Sequence, residues 1–222
     1  MLKPQRKIVR NEIKSDPLLN TLEKIESGFE NNKKIVTNVG LLIIAFIIGI
    51  YIYNNKNKQN DLESNSAFGI AMIAFSNADY ENAKFQFETV ISNFNGTDGS
   101  NMAHYFLGKI AFKNNNYDKA KAYLNEYLDS ASDPVMACGA IKLLHSISLQ
   151  NGNLAESLDI LNKGNKFNIG SVAKLELQLL EAYTNIKLND FTNARAKIDN
   201  ILQNKNIPSS IKQKADELNG MM

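Results

Sequence analysis

The sequence predicts an all-α protein in which one transmembrane helix is followed by an α-solenoid of about four helix-hairpin repeats and a carboxyl-terminal capping helix. Two observations predict this class. Residues 35–53 carry no charged side chain and are apolar apart from one threonine and one asparagine. Downstream of them, aromatic and small residues recur with a period of 37 residues. In addition, the chain has a single cysteine, so no framework of intramolecular disulfides holds the fold.

The apolar segment has the length of a membrane anchor. Its 19 residues, IVTNVGLLIIAFIIGIYIY, would span about 28 Å as a helix, close to the roughly 30 Å of a bilayer's hydrocarbon core. Tyr51 and Tyr53 stand where interfacial aromatic residues are favoured. The lack of a polar face argues against a buried core helix. The start after 34 residues argues against a cleaved signal peptide. We therefore expect an uncleaved anchor at 35–53.

The charges on either side of the anchor predict its orientation. Residues 1–34 carry eight basic and five acidic side chains, whereas residues 61–222 carry 15 basic and 18 acidic ones. The basic excess predicts a cytoplasmic amino-terminal stub, residues 1–34, and an outward-facing repeat domain. Asp16 and Pro17 can start a short amphipathic helix in the stub, which would dock on a partner protein or lie on the lipid surface. Its apolar stripe is Leu18, Leu22, Ile25 and Phe29.

Each repeat unit carries a large residue followed, three positions later, by a small one. The large residues are Tyr80, Tyr117, Leu154 and Phe191, and the small ones are Ala83, Ala120, Ser157 and Ala194. Small residues let the helices of a hairpin approach closely, and in the second unit Gly108 is expected to approach Ala120. Ala71 occupies the position equivalent to Gly108 in the first unit, whereas the third unit has His145 there. Repeats with a period of roughly 20–50 residues indicate a helical solenoid.

The repeat frame places each helix. First helices are expected near residues 64–77, 101–114, 135–150 and 171–188, and second helices near 80–94, 117–130, 154–164 and 191–204. Pro208 would open a last, charged helix that ends at Asn219 and caps the final repeat. Residues 54–63 are expected to form a polar linker between the anchor and a repeat domain at 64–222.

The second unit shows the repeat most fully. Residues 101–134, NMAHYFLGKIAFKNNNYDKAKAYLNEYLDSASDP, resemble a complete tetratricopeptide (TPR) unit of 34 residues. The resemblance is carried by Leu107, Gly108, Phe112, Tyr117, Ala120, Leu124 and Pro134. It extends in weaker form over residues 64–207, and it implies that the solenoid is TPR-like.

The layout of the whole chain resembles a family of membrane proteins. A basic stub, one anchor, a polar linker and a TPR array are similar to the ancillary subunit of the bacterial Sec translocon, a bitopic inner-membrane protein. The basic edge ENNKK before the anchor adds to the likeness. This resemblance implies a single-pass protein of the bacterial inner membrane with a periplasmic repeat domain. The implied partners are translocon subunits and periplasmic chaperones.

The TPR resemblance also implies a concave groove lined by the first helices. The expected groove residues are Phe68, Met72, Phe75, Tyr105, Lys109, Phe112, Lys113, Lys142 and Tyr183, with Ser146, Leu149, Leu179 and Ile186 at further groove positions. Aromatic, methionine and lysine side chains together suit an extended or helical peptide with apolar anchors and some acidic character. The alternative is that several of the apolar residues belong to the core between repeats.

Composition and motifs favour a binding protein over an enzyme. The repeat domain has no basic excess, so nucleic acid is not an expected partner. The sequence contains no phosphate-binding loop, dinucleotide motif or nucleophile elbow, and Cys138 with His145 are too few ligands for a metal site. We therefore expect no catalysis, cofactor or metal. Two functions stay open. One is an adaptor that links the translocation channel to extracytoplasmic chaperones or clients, and the other is a structural scaffold for a division or outer-membrane assembly complex.

Overall fold

The computed structural model describes residue 21, residues 32–204 and residues 206–222, and within these the chain is helical without any strand. The helices are α1 (Lys33–Ser76), α2 (Tyr80–Asn93), α3 (Asp98–Lys113), α4 (Tyr117–Asp129), α5 (Pro134–Gln150), α6 (Leu154–Lys163), α7 (Ser171–Lys187), α8 (Phe191–Leu202) and α9 (Ser209–Asn219), with a 3₁₀ helix at Gly164–Lys166. The stub and its expected amphipathic helix lie outside the described residues, apart from Thr21 and residues 32–34. The chain divides into two compact units, Met1–Lys58 and Gln59–Met222.

The described part of the first unit consists almost entirely of the beginning of α1. This helix is 44 residues long, and none of its most apolar stretch is buried. Among the described residues, α1 is the one helix whose length and composition would let it cross a membrane. Thr37, a polar residue in the apolar stretch, donates its hydroxyl to the carbonyl of Lys33 at 2.8 Å, so this group is satisfied within the helix.

The expected linker, residues 54–63, is helical and continues α1. Its sequence, NNKNKQNDLE, contains no proline or glycine to break a helix. Gln59 also donates a hydrogen bond to Glu63 one turn later, at 2.9 Å. The first helix of the first repeat, expected to begin at 64, is therefore the last part of α1 and has no separate start.

The four hairpin turns share one backbone conformation. A left-handed residue follows each first helix, with φ of 59°, 56°, 71° and 59° at Ala78, Asn115, Gly152 and Asn189. The next N–H reaches back into the helix, as Asp79 N–H does to the carbonyl of Ala74 at 3.0 Å, which is the Schellman arrangement. The side chain of that residue then caps the second helix. The caps are Asp79, Asn116, Asn153 and Asp190.

Successive hairpins bury their apolar side chains in clusters within the second unit. One cluster contains Phe87 and Leu107, the next contains Leu124 and Ile141, and the last is built around Ile198. The last helix, α9, closes the array: its apolar side packs into the last cluster, whereas its charged side chains are exposed. This is the capping role that its composition predicts.

Gly108 and Gly164 are two of the glycines at which helices of the array approach closely. A Cβ at Gly108 would lie 2.6 Å from Leu124 Cγ, so its nearest neighbour is Leu124, one turn beyond the expected Ala120. Gly164, expected inside a second helix, instead begins the 3₁₀ helix after α6 ends at Lys163. A Cβ at Gly164 would overlap Leu177 Cδ1, so the absent side chain leaves room for α7.

Candidate functional site

The amino-terminal part of the expected groove is an aromatic cluster. Phe68 and Phe75 on α1 pack against the ring of Phe106 on α3, with ring centroids 5.7 and 5.0 Å apart. Tyr105 meets the same ring edge-on at 5.2 Å. Met72 packs against this cluster too. The four expected groove residues here are half-buried, so each one packs between repeats and presents only part of its surface to a partner.

Two lysines of α3 lie over aromatic rings, Lys109 over this cluster and Lys113 over Tyr80. Lys109 Nζ is 5.3 Å from the ring centroids of both Phe75 and Phe106. Lys113 Nζ lies 3.8 Å from the ring centroid of Tyr80. No carboxylate of the described residues lies within 4.0 Å of either ammonium group. The two positive charges are therefore stabilised by aromatic faces and remain available to an anionic partner.

Phe112 lies further along α3, next to the second hairpin's turn. Its ring centroid is 5.7 Å from that of Tyr117, the first residue of α4. The side chain is half-buried against the core cluster that contains Leu124. Phe112 thus supports the base of the hairpin, as well as lying on a helix that lines the expected groove.

In the carboxyl-terminal part of the expected groove there is an open cavity of about 430 Å³ between α5 and α7, the first helices of the third and fourth repeats. Its lining residues are Lys142, His145, Ser146, Leu149, Glu176, Leu179, Leu180, Tyr183 and Lys214. Five of the residues expected in the groove therefore line this one cavity. Ile186 is not among the lining residues; it is buried in α7.

The charges around this cavity are arranged differently from those over the aromatic cluster. Lys142 forms an ion pair with Glu176, which brings α5 and α7 together at the surface. Lys187 Nζ lies 5.4 Å from the ring centroid of Tyr183, and Lys214 of α9 contributes a further positive charge at the edge. The cavity therefore combines an apolar wall with Lys142, Lys214 and the carboxylate of Glu176 among its lining residues, and Lys187 lies over the ring of Tyr183.

His145 forms part of the cavity wall and replaces the small residue of the other repeats. Its side chain is buried, and its Nδ1 lies 2.6 Å from the hydroxyl oxygen of Ser157 on α6. Burial lowers the pKa of His145 from its ordinary value. His145 departs from the repeat pattern, and the structure shows that its imidazole is hydrogen-bonded to the small residue of the second helix, Ser157.

Elsewhere, the described residues contain no group of three or more histidine, cysteine or acidic side chains placed to hold a metal ion. Cys138 is buried in the cluster that contains Ile141, and burial raises the pKa of its thiol. A buried, protonated thiol is a weak nucleophile and a weak ligand. The expected groove, which contains the lysines and the cavity described above, is the candidate site.

A family model and one solved structure agree with this architecture. The family described as tetratricopeptide repeat-like domain matches residues 28–169, which is more than half of the chain. A crystal structure of a tetratricopeptide repeat protein from Parabacteroides merdae superposes with a TM-score of 0.58 at 13% sequence identity, covering 71% of this chain and 59% of that one. The MamA RS-1 ArsTM double mutant superposes with a TM-score of 0.49 at 17% identity, covering 72% and 76%. No curated protein matches the chain.

These matches bear on the fold rather than on a specific partner. At 13% identity, the Parabacteroides merdae structure shows a shared fold alone, and the chain spans only 59% of the length of that structure. The TPR-like fold is typically a non-catalytic scaffold for protein interaction, and its repeats bind proteins or peptides.

Proposed function

The chain belongs to the tetratricopeptide repeat-like domain family, and we propose that it is a membrane-anchored adaptor that holds a partly acidic peptide or helix in its concave groove. This proposal names a single class of partner for the whole groove. The partner has carboxylates for the lysines of α3 and an apolar side chain for the cavity between α5 and α7.

The observation that carries the proposal is the pair of lysines at one end of the groove. Lys109 and Lys113 lie over aromatic rings, and no carboxylate of the described residues is within 4.0 Å of them. A partner's carboxylate would gain two charged hydrogen bonds there. At the other end, an apolar side chain would displace water from a space lined by Leu149, Leu179 and Leu180. The two ends require different chemistry, which favours a peptide over a small ligand.

The anchor is the second part of the proposal. The uncharged residues 35–53 belong to α1, whose apolar stretch is long enough to span a bilayer and has no buried residues. The basic excess of residues 1–34 favours a cytoplasmic amino terminus, with the repeats on the outer side of a bacterial inner membrane. An anchored groove would then act on proteins that emerge at the membrane surface.

The third part concerns the site of action. The layout of stub, anchor and TPR array resembles the ancillary subunit of the Sec translocon. We therefore propose that the protein works beside the translocation channel and links it to extracytoplasmic chaperones or clients. The alternative is a scaffold for a division or outer-membrane assembly complex. Both functions use the same groove, and co-purification of the full-length protein from native membranes in mild detergent distinguishes them. Recovery of channel subunits supports the adaptor, whereas recovery of division or assembly proteins supports the scaffold.

Substitution of the two lysines tests the groove itself. Lys109→Ala with Lys113→Ala should weaken binding of the co-purified partner by roughly tenfold, because two ion pairs of about 0.5–1 kcal/mol each are lost. The matched control is Lys119→Ala with Lys166→Ala, which removes the same charge from exposed residues that are not on a first helix. Equal affinity in the two double variants would contradict the proposed site.

A further inference from the structure

One stripe on the solvent side of α1 within the second unit carries no charge and is mostly aliphatic, although Glu63, the residue after Leu62, is also exposed. Leu62, Ser66, Gly69 and Ile73 recur at spacings of four, three and four residues and so share one face, with Ile70 beside it. Leu62, Ile70 and Ile73 are 58%, 57% and 64% exposed. We name these five residues the first-helix face. Large exposed aliphatic side chains clustered on one helix indicate a surface that is covered by a partner.

The equivalent positions of the second repeat show which side of a repeat the first-helix face is. The positions 37 residues later are Gly99, Ala103, Phe106, Leu107 and Ile110, and all of them are buried. They are buried because α3 packs there against the preceding hairpin, where Phe106 contacts Phe68 and Phe87. The first-helix face is therefore the docking side of a repeat, and in the first repeat no preceding hairpin of the described chain covers it.

The other end of the array limits how a second copy can cover this face. There α9 closes the stack, with Ile211 and Ala215 buried and Lys212 and Glu217 exposed. A second copy therefore has no open terminal hairpin to offer, and head-to-tail stacking is blocked. The surface it can offer is its own first-helix face.

We propose that the first-helix face binds the same face of a second copy across a two-fold axis. Two-fold contacts pair a surface with itself, and an uncharged face meets no like charges in such a contact. Ser66 and Gly69 lie at its centre, where small side chains let two helices approach closely. A Cβ at Gly69 would have no atom within 4 Å in the single chain, so this space is open to the second copy. The face is separate from the groove, and the proposal does not depend on the partner bound there.

Cysteine cross-linking of the full-length protein in membranes tests the proposal. The background is Cys138→Ala, which removes the one native cysteine. Ser66→Cys should give a disulfide-linked dimer on mild oxidation, because the two copies of residue 66 would lie near the axis. Lys212→Cys, on the exposed side of α9, is the control and should give at least tenfold less dimer. Equal cross-linking at the two positions, no dimer at residue 66, or a link to a different protein would overturn the proposal.

A second substitution separates the contact from the fold. Ile73→Glu in the Ser66→Cys background places a carboxylate in the apolar contact and should reduce the cross-linked fraction at least tenfold. Since Ile73 is 64% exposed in the single chain, the helical circular dichroism and the urea midpoint of the monomer should stay unchanged. Full cross-linking in this variant would overturn the proposed interface.

Discussion

The contact between Gly108 and Leu124 should limit substitution more strictly than any surface position of α3. A leucine at 108 would place its Cβ within 2.7 Å of two Leu124 carbon atoms, and Leu124 is fully buried and cannot move aside freely. We expect Gly108→Leu to lower the free energy of unfolding by ~1–3 kcal/mol, as overpacking of a close-packed core usually does. Urea unfolding followed by circular dichroism measures the change.

Lys109→Ala is the matched control for Gly108→Leu. Lys109 is the next residue along α3, and its ammonium group makes three cation–π contacts, with Phe75, Tyr105 and Phe106. Their loss should cost about 0.5–1 kcal/mol, more than a featureless surface change but less than overpacking. A stable Gly108→Leu together with a strongly destabilised Lys109→Ala would mean that the assigned repeat register is wrong.

The buried His145 should make the stability of the array depend on pH. Burial lowers its pKa in the folded state, whereas in the unfolded chain it takes up a proton near its ordinary pKa of about 6.5. Between these two values the unfolded state binds more protons, so the free energy of unfolding decreases as pH falls. We expect the urea midpoint to drop between pH 7.5 and 5.5 and the drop to be smaller in His145→Gln.

His104 is the other histidine of the chain and should contribute to the same pH dependence of stability. Replacing it as well as His145 therefore tests whether the two histidines together account for the effect. Burial lowers its pKa, while nearby Glu126 opposes the shift. The His104→Gln and His145→Gln double variant should therefore remove the remaining slope in this pH range. An unchanged slope in both the single and the double variant would show that neither imidazole is responsible.

At the residue scale, the sequence predicted which positions are equivalent between repeats, but it did not predict which side chains contact each other between helices. The repeat frame marked His145 as a departure and Ser157 as a regular small residue, and the hydrogen bond between them depends on how α5 and α6 pack. The repeat frame also placed Ile186 in the groove, but Ile186 is buried in α7 and is not among the residues that line the cavity. The repeat frame predicts on which side of its helix a residue lies. Whether that residue is buried depends on how far the neighbouring helix and the capping helix extend over it.

The hairpin turns offer a test at the scale of elements. Ala78 has a φ of 59°, a left-handed conformation that costs an L-residue ~1–2 kcal/mol. The other units place asparagine or glycine at this position, and those residues adopt it more easily. Because Ala78 is exposed, Ala78→Gly loses little packing. We expect a gain of about 0.5–1 kcal/mol in the free energy of unfolding, after the entropy of the unfolded glycine is deducted.

The control for Ala78→Gly is the same exchange in a helix. Ala122 is exposed in the middle of α4, where glycine is less favourable than alanine. Ala122→Gly should lower stability by about 1 kcal/mol. Opposite signs for the two exchanges would establish the turn conformation, whereas destabilisation by both would contradict it.

The elements themselves followed from the sequence with one exception. From α2 to α9 the helices begin and end within three residues of the expected positions, because the capping residues recur with the repeat. The exception is the polar segment 54–63. Its composition suggested a linker, but polarity alone does not end a helix, and the segment has neither a breaker nor a cap.

At the scale of the whole molecule, the asymmetry between the two ends of the array is the main result beyond the repeat itself. The charged α9 closes one end, whereas the apolar first-helix face leaves the other open. The sequence predicted the cap from its charges. It did not predict the open face, because Leu62, Ile70 and Ile73 resemble core residues until their exposure is known.

The topology of the whole chain is the last prediction. The basic excess of residues 1–34 should hold the amino terminus in the cytoplasm, so the proposed anchor would place residues 61–222 outside the inner membrane. Protease added to intact spheroplasts should then digest the repeats, while a tag fused to the amino terminus survives until the membrane is dissolved. Cytoplasmic and periplasmic marker proteins control for lysis. Protection of the repeats with digestion of the tag would reverse the topology, and the groove would then face cytoplasmic partners.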